Sequence, residues 1–165
     1  HTYDLLFHLS PSAQDRVSVM VSDNTLSIHS PQLILAQPLL PNVRPSIQEG
    51  FVSTSYGEKQ RAPIVQLTQR DSSACFLTVM YPYKGDKPNI SVVTPEHESG
   101  PQALLLGERA PVRILIERNG ARYRDDLLFT SQIASPIGIP DTASTTHVRV
   151  SRTDHHGRHL FRYQA

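Results

Sequence analysis

The densest group of metal-capable side chains lies near the end of the chain, in Asp154-His155-His156-Gly157-Arg158-His159. Neutral imidazoles with a carboxylate suit zinc, but a zinc site needs ligands that converge in space, commonly from several elements. Gly157 stands between the strand-like runs Val148-Arg149-Val150 and Leu160-Phe161-Arg162, where a short loop calls for positive φ. The segment therefore reads as an exposed hairpin turn. His1 and His8 are seven residues apart and fall on opposite faces of a strand, so spacing does not make them a ligand pair. His8, inside Leu5-Leu6-Phe7-His8-Leu9, reads as a core or sheet-face histidine. Asp125-Asp126 meets the same objection as a shared acid/base pair, because neighbours on a strand point apart. Cys75 sits in the apolar run Ala74 to Met80 and reads as a small core hydrophobe, and as the only cysteine it excludes an internal disulfide. No Gly-x-Ser-x-Gly elbow, phosphate loop or dinucleotide fingerprint is present. The residues alone assemble no active site.

The elements that would position these groups are short and β-rich. Arg16-Val17-Ser18-Val19-Met20-Val21 alternates polar with apolar, and Asp23-Asn24 turns it into Thr25-Leu26-Ser27-Ile28-His29. Leu33 to Leu40 follows, with Pro38 tolerated at an edge or bulge. Gly50 and Gly57 punctuate the stretch Glu49 to Val65, which predicts a strand that enters, turns at Tyr56-Gly57 and leaves through Ala62 to Leu67. Ile64 to Leu67 and Cys75 to Tyr81 are expected to pair across the polar segment Gln69 to Ser73. Further strands are expected over Ile90–Thr94, Ala103–Leu106, Val112–Glu117, Tyr123–Phe129, Thr146–Val150 and Leu160–Tyr163. Asn119-Gly120 is the strongest hairpin signal, since a type I′ turn needs positive φ at both central residues. About a dozen short strands without crossover helices imply antiparallel pairing, and sheet on sheet is the stable way to bury them. The expected fold is an all-β antiparallel sandwich.

A chain of 165 residues suffices for one well-buried core, so a single domain over 1–165 is expected. A formal charge of +1 gives no electrostatic footprint for nucleic acid as main partner. Lysine occurs only at Lys59, Lys84 and Lys87; the remaining basic residues are arginines, whose planar fork suits carboxylates and sulfates, so an acidic polymer is permitted as ligand. No apolar run approaches the length of a membrane span, and no secretory leader pattern is visible. The chain starts inside a strand, which predicts that it is a fragment of a larger protein.

His1-Thr2-Tyr3-Asp4-Leu5-Leu6-Phe7-His8-Leu9, then Glu49-Gly50-Phe51-Val52-Ser53-Thr54-Ser55-Tyr56-Gly57-Glu58-Lys59, then Ala62-Pro63-Ile64-Val65, then Phe76-Leu77-Thr78-Val79-Met80-Tyr81-Pro82-Tyr83 occur in that order. Together they resemble the β-sandwich region of the heparinase II/III-like family. The family's motifs are a strand ending Phe-His-Leu, a Gly-(aromatic)-Val-Ser-x-x-Tyr-Gly turn, an Ala-Pro strand start and a Thr-(aliphatic)-(aliphatic)-x-Pro strand end. The resemblance covers the first half of the chain; the second half is only compatible with it.

The resemblance implies a bacterial polysaccharide lyase with an upstream α-helical toroid, periplasmic or extracellular, acting by β-elimination on a uronate-containing glycan. A base would remove the proton α to the carboxylate and an acid would protonate the leaving oxygen. The family's catalytic tyrosine and histidine belong to upstream segments, so this chain is expected to hold no catalytic residue and to be inactive alone. His8 matches a position that binds a structural zinc in some members, with its other ligands upstream, so no cofactor is expected in this chain itself and a zinc only in the full-length protein. Tyr56 matches the Tyr-Gly turn. An alternative reading is a non-catalytic glycan-binding or structural module of an exopolysaccharide system. In it Tyr56, Tyr81 and Tyr83 offer stacking faces, and Arg61 or Arg122 meets acidic groups.

Overall fold

The computed structural model of the chain describes residues 1–40, 42–94, 109–132 and 145–164. Its twelve strands are β1 (Thr2–His8), β2 (Ser18–Ser22), β3 (Thr25–Ser30), β4 (Leu33–Pro38), β5 (Val43–Val52), β6 (Gln60–Arg70), β7 (Val79–Pro82), β8 (Asn89–Val93), β9 (Arg109–Arg118), β10 (Ala121–Gln132), β11 (Thr145–Asp154) and β12 (His159–Gln164). A 3-10 turn covers Pro11–Ala13. Every pairing among the described residues is antiparallel, and the all-β class expected from the alternation is what the chain adopts. The strand expected over Ala103–Leu106 lies outside the described residues. The chain divides into two compact units, His1–Gly85 and Asp86–Ala165.

The first unit has two sheets, ordered β1-β6-β5 and β2-β3-β4-β7. In β1, Tyr3, Leu5 and Phe7 alternate with the exposed Asp4, Leu6 and His8. Leu5 and Phe7 join Val65 and Leu67 of β6 in one apolar cluster with Leu26 and Ile28 of β3 and Leu33 and Leu35 of β4. That cluster is the filling of a sandwich, since it draws on the inward faces of both sheets. Leu26, Ile28, Leu35, Val65 and Leu67 are each at most 2% exposed, and burial of each contributes about 1.5–3 kcal/mol.

Turn chemistry sets the registers. Asp23 and Asn24 have φ of 47° and 57°, and close the β2–β3 hairpin at Ser22↔Thr25. Gly57 at φ 79° and the Glu58 N–H donating to Ser55 O at 3.2 Å form the bend at the end of β5–β6, with Tyr56 at its tip. The ladder then runs from Val52↔Gln60 to Val43↔Gln69, the hairpin expected from the glycine spacing.

One expected pairing does not form. Both edges of β6 are occupied, by β1 and β5, whereas β7 pairs with β4 through Ile34↔Tyr81. The polar segment after β6 carries the chain to the other sheet, and apolar runs on either side of a polar segment do not distinguish that path from a hairpin. Residues 74–78 precede β7 without strand structure. Phe76 packs on the core cluster, and Cys75 is half-buried, its thiol pushed up by that burial.

The second unit is a five-stranded sheet in chain order, β8 through β12. Asn119 and Gly120, at φ 52° and 74°, join Arg118 to Ala121 as the type I′ signal requires. Gly157 at φ 77° completes the turn between β11 and β12, where the Asp154 carboxylate accepts the N–H groups of His156 and Arg158 at 2.9 and 3.0 Å. Ile90 and Val92 of β8 and Ala110, Val112, Ile114 and Ile116 of β9 are buried on one face, with Ile90↔Ile116 and Val92↔Ile114 in register. Asp125 falls on this apolar face opposite Ile114 on one side and Arg152 on the other. Its two carboxylate oxygens accept Arg152 Nε and Nη2, both at 2.6 Å.

Candidate functional site

Tyr56 is fully exposed at the β5–β6 tip. Arg61, one residue into β6, pairs with Glu49 at 3.2 Å with both side chains largely in solvent. Tyr81 is half-buried on β7 opposite Ile34. Tyr83 donates its hydroxyl to Ser30 O and its N–H to Gln32 O, each at 2.9 Å, and so ties the end of β7 to the β3–β4 turn. The four are split between the two sheets of the first unit: Tyr56 and Arg61 stand at the end of the β5–β6 hairpin, Tyr81 and Tyr83 along β7 and just past it. Arg122 contacts Glu117 across the β9–β10 hairpin at 3.3 Å.

His8 is exposed on the outer face of β1, with Ile64 across from it. Zinc takes about four protein ligands in a structural site, and among the described residues no group of three or more histidine, cysteine, aspartate or glutamate side chains could hold a metal ion. A zinc on His8 would have to draw its other ligands from elsewhere. The run Asp154 to His159 spends its carboxylate on its own turn and on Arg158 Nε at 2.9 Å. Burial raises the Asp154 carboxyl, and the hydrogen bonds from Arg158 and His156 outweigh it to hold the group below its usual range.

Among the described residues, a concentrated group of charges lies on the face of the second sheet opposite Asp125. Period-two alternation brings up Pro111 and Arg113 from β9, Arg124, Asp126 and Leu128 from β10, and Arg149 and Ser151 from β11. Pairing sets them in rows, Arg113–Asp126–Ser151 and Pro111–Leu128–Arg149. Asp126 lies between two guanidiniums: Arg113 Nε donates to Oδ1 at 2.9 Å and Arg124 Nε to Oδ2 at 2.7 Å. A shallow depression of about 260 Å³ opens here, lined by Pro111, Arg113, Asp126, Leu128, Arg149 and Ser151. Two arginines on the Asp126 carboxylate and Arg149 in the neighbouring row make the patch cationic, and Pro111 and Leu128 give it an apolar floor. Such a surface can take a carboxylate or sulfate by guanidinium forks while the apolar floor meets the C–H face of a sugar ring.

Burial raises the Asp126 carboxyl, but the hydrogen bonds and charges of Arg124 and Arg113 outweigh it and hold the group below its usual value. A depressed folded-state pKa contributes stability that is present above the unfolded value of about 3.9 and is lost as pH falls through the folded value. Asp126→Asn is therefore expected to flatten the acid limb of the stability curve below about pH 4, measured by urea midpoints across pH. An unchanged acid limb would count against the pairing.

No family model, curated protein or solved structure matches the chain. No helix among the described residues is long and apolar enough to cross a membrane.

Proposed function

We propose that this chain is the β-sandwich region of a bacterial heparinase II/III-like polysaccharide lyase, outside the cytoplasm, and that it holds acidic glycan for cleavage performed by upstream segments. The observation that carries the binding part is the depression lined by Arg113, Arg149 and Asp126, with Arg124 joining Arg113 on the Asp126 carboxylate. The lyase part rests on the resemblance, whose Phe-His-Leu and Gly-(aromatic)-Val-Ser motifs fall on β1 and the β5–β6 hairpin. In β-elimination the uronate carboxylate must be neutralised while its α-proton leaves, and arginines that grip other uronates along the polymer keep the scissile sugar in place.

The same patch also favours a second reading, a glycan-binding module that works without a helical domain. The experiments separate the two. The longer protein, given alginate, heparin and related polymers, is expected to release unsaturated uronate, seen by ultraviolet absorbance; no product from any acidic glycan counts against the lyase. This chain alone is titrated with the same polymers. Affinity that falls with salt and drops about tenfold in Arg113→Gln/Arg149→Gln, or about 1.4 kcal/mol, supports the patch as the binding surface. Affinity unaffected by that double change removes it.

A further inference from the structure

One edge of the first unit, β2, points to a second copy of this chain as its partner. β2 ends the sheet β2-β3-β4-β7, and among the described residues no strand lies on its outer side. All five of its residues are exposed, Val19 at 38%, Met20 at 49% and Val21 at 59%. Edge strands of soluble proteins are commonly guarded by charge, proline or a bulge. Ser18-Val19-Met20-Val21-Ser22 has none of these, and its ladder to β3 is regular.

The backbone phase is set by the turn. A two-residue I′ hairpin makes its flanking pair, Ser22 and Thr25, the hydrogen-bonded one. Ser22, Met20 and Ser18 therefore direct their N–H and C=O groups at β3, and Ser27 Oγ donating to Met20 O at 3.5 Å agrees with that phase. Val19 and Val21 direct theirs outward.

We infer that two copies pair antiparallel through β2 about a two-fold axis at Met20. The five residues read the same in both directions, which is what an isologous contact needs. Centred on Met20, the register sets Val19 against Val21 of the second copy and Ser18 against Ser22. The outward groups of Val19 and Val21 then meet in two hydrogen-bonded pairs on either side of the axis. Met20 and its counterpart form the close, non-hydrogen-bonded pair. Val19 and Val21 share a face with Leu26 and Ile28 through the pairs Val19↔Ile28 and Val21↔Leu26, so the apolar row continues from one copy into the next. A partner of different sequence could add a strand by the same backbone groups, but the symmetry of the segment favours a second copy.

The test is sedimentation velocity of the chain from low to high micromolar concentration. A dimer that grows with concentration is expected. Met20→Lys sets two ammonium groups against each other on the axis and is expected to halve the mass, while Met20→Leu keeps the dimer. Val19→Pro deletes one outward N–H without touching the ladder to β3, and is also expected to give monomer; circular dichroism checks that each variant is folded. In a Cys75→Ser background, Met20→Cys is expected to cross-link two copies on oxidation and Val21→Cys is not, because only residue 20 faces itself. Single-copy mass at every concentration overturns the proposal and leaves the edge to another chain's strand. So does a dimer that survives both Met20→Lys and Val19→Pro, or equal cross-linking at 20 and 21.

Discussion

Arg152→Met is expected to destabilise the second unit by about 3 kcal/mol, the low end of what removal of one member of a buried ion pair costs. The Asp125 side chain is only 10% exposed and sits on the apolar face beside Ile114, with both oxygens at 2.6 Å from the Arg152 guanidinium. Without Arg152 its carboxylate would stand in a poorly hydrated place with no counter-charge. Removing both charges is different: Asp125→Leu/Arg152→Met is expected to recover most of the loss, because two apolar side chains there need no desolvation of ions. The contrast is Arg122→Met, whose partner Glu117 is 46% exposed at 3.3 Å; a surface pair of this kind contributes about 0–1 kcal/mol. Urea unfolding of the four proteins by circular dichroism gives the comparison. Equal costs for Arg152→Met and Arg122→Met would show that the Asp125 site is not desolvated.

Gly50→Ala decides between two opposed effects. Alanine in a strand interior gains about 0.5–1 kcal/mol over glycine in backbone entropy, and Gly50 does not need positive φ. Space is the obstacle, since a Cβ at this position would collide with Cγ1 and Cδ1 of Ile64, diagonally across the β5–β6 ladder. Overpacking of this kind costs about 1–3 kcal/mol, so the net expectation is a loss of about 1–2 kcal/mol. In an Ile64→Ala background the collision is gone, and Gly50→Ala is expected to become neutral or stabilising. The coupling from that double-mutant cycle is the measured quantity. If the two changes are additive, Gly50 is explained by something other than Ile64.

The fold class was legible because alternation and turn chemistry agreed along the chain. Asp23-Asn24, Tyr56-Gly57 and Asn119-Gly120 each mark a hairpin end that forms. Long-range pairing was not legible: nothing in Ile64 to Tyr81 tells that β6 takes β1 and β5 as neighbours and sends β7 to the other sheet. Half of the cationic site was within reach. A type I′ turn at Asn119-Gly120 sets Arg118 opposite Ala121, and counting back from it places Arg113 opposite Asp126. Arg149 and Ser151 join only through the β10–β11 pairing, whose register no two-residue turn sets. Adjacent aspartates were correctly separated by strand parity, with Asp125 on Arg152 and Asp126 on Arg113 and Arg124. Their different burial depends on which face of the sheet is covered, and alternation of side chains does not reveal that.

The two strand orders have a kinetic consequence. In β8 to β12 every strand pairs with its sequence neighbour, so each step closes a modest loop and can add to a growing edge. The first unit is built otherwise, because β1 finds its partner only in β6, through pairs from His8↔Ile64 to Thr2↔Arg70. During synthesis β1 must wait until residues 64–70 are out before it has a partner. With the apolar edge of β2 already exposed during that interval, the first unit is expected to be the slower and more association-prone part of folding. The meander is expected to assemble promptly, and a stopped-flow trace should resolve into two phases, with Leu67→Ala slowing only the later one.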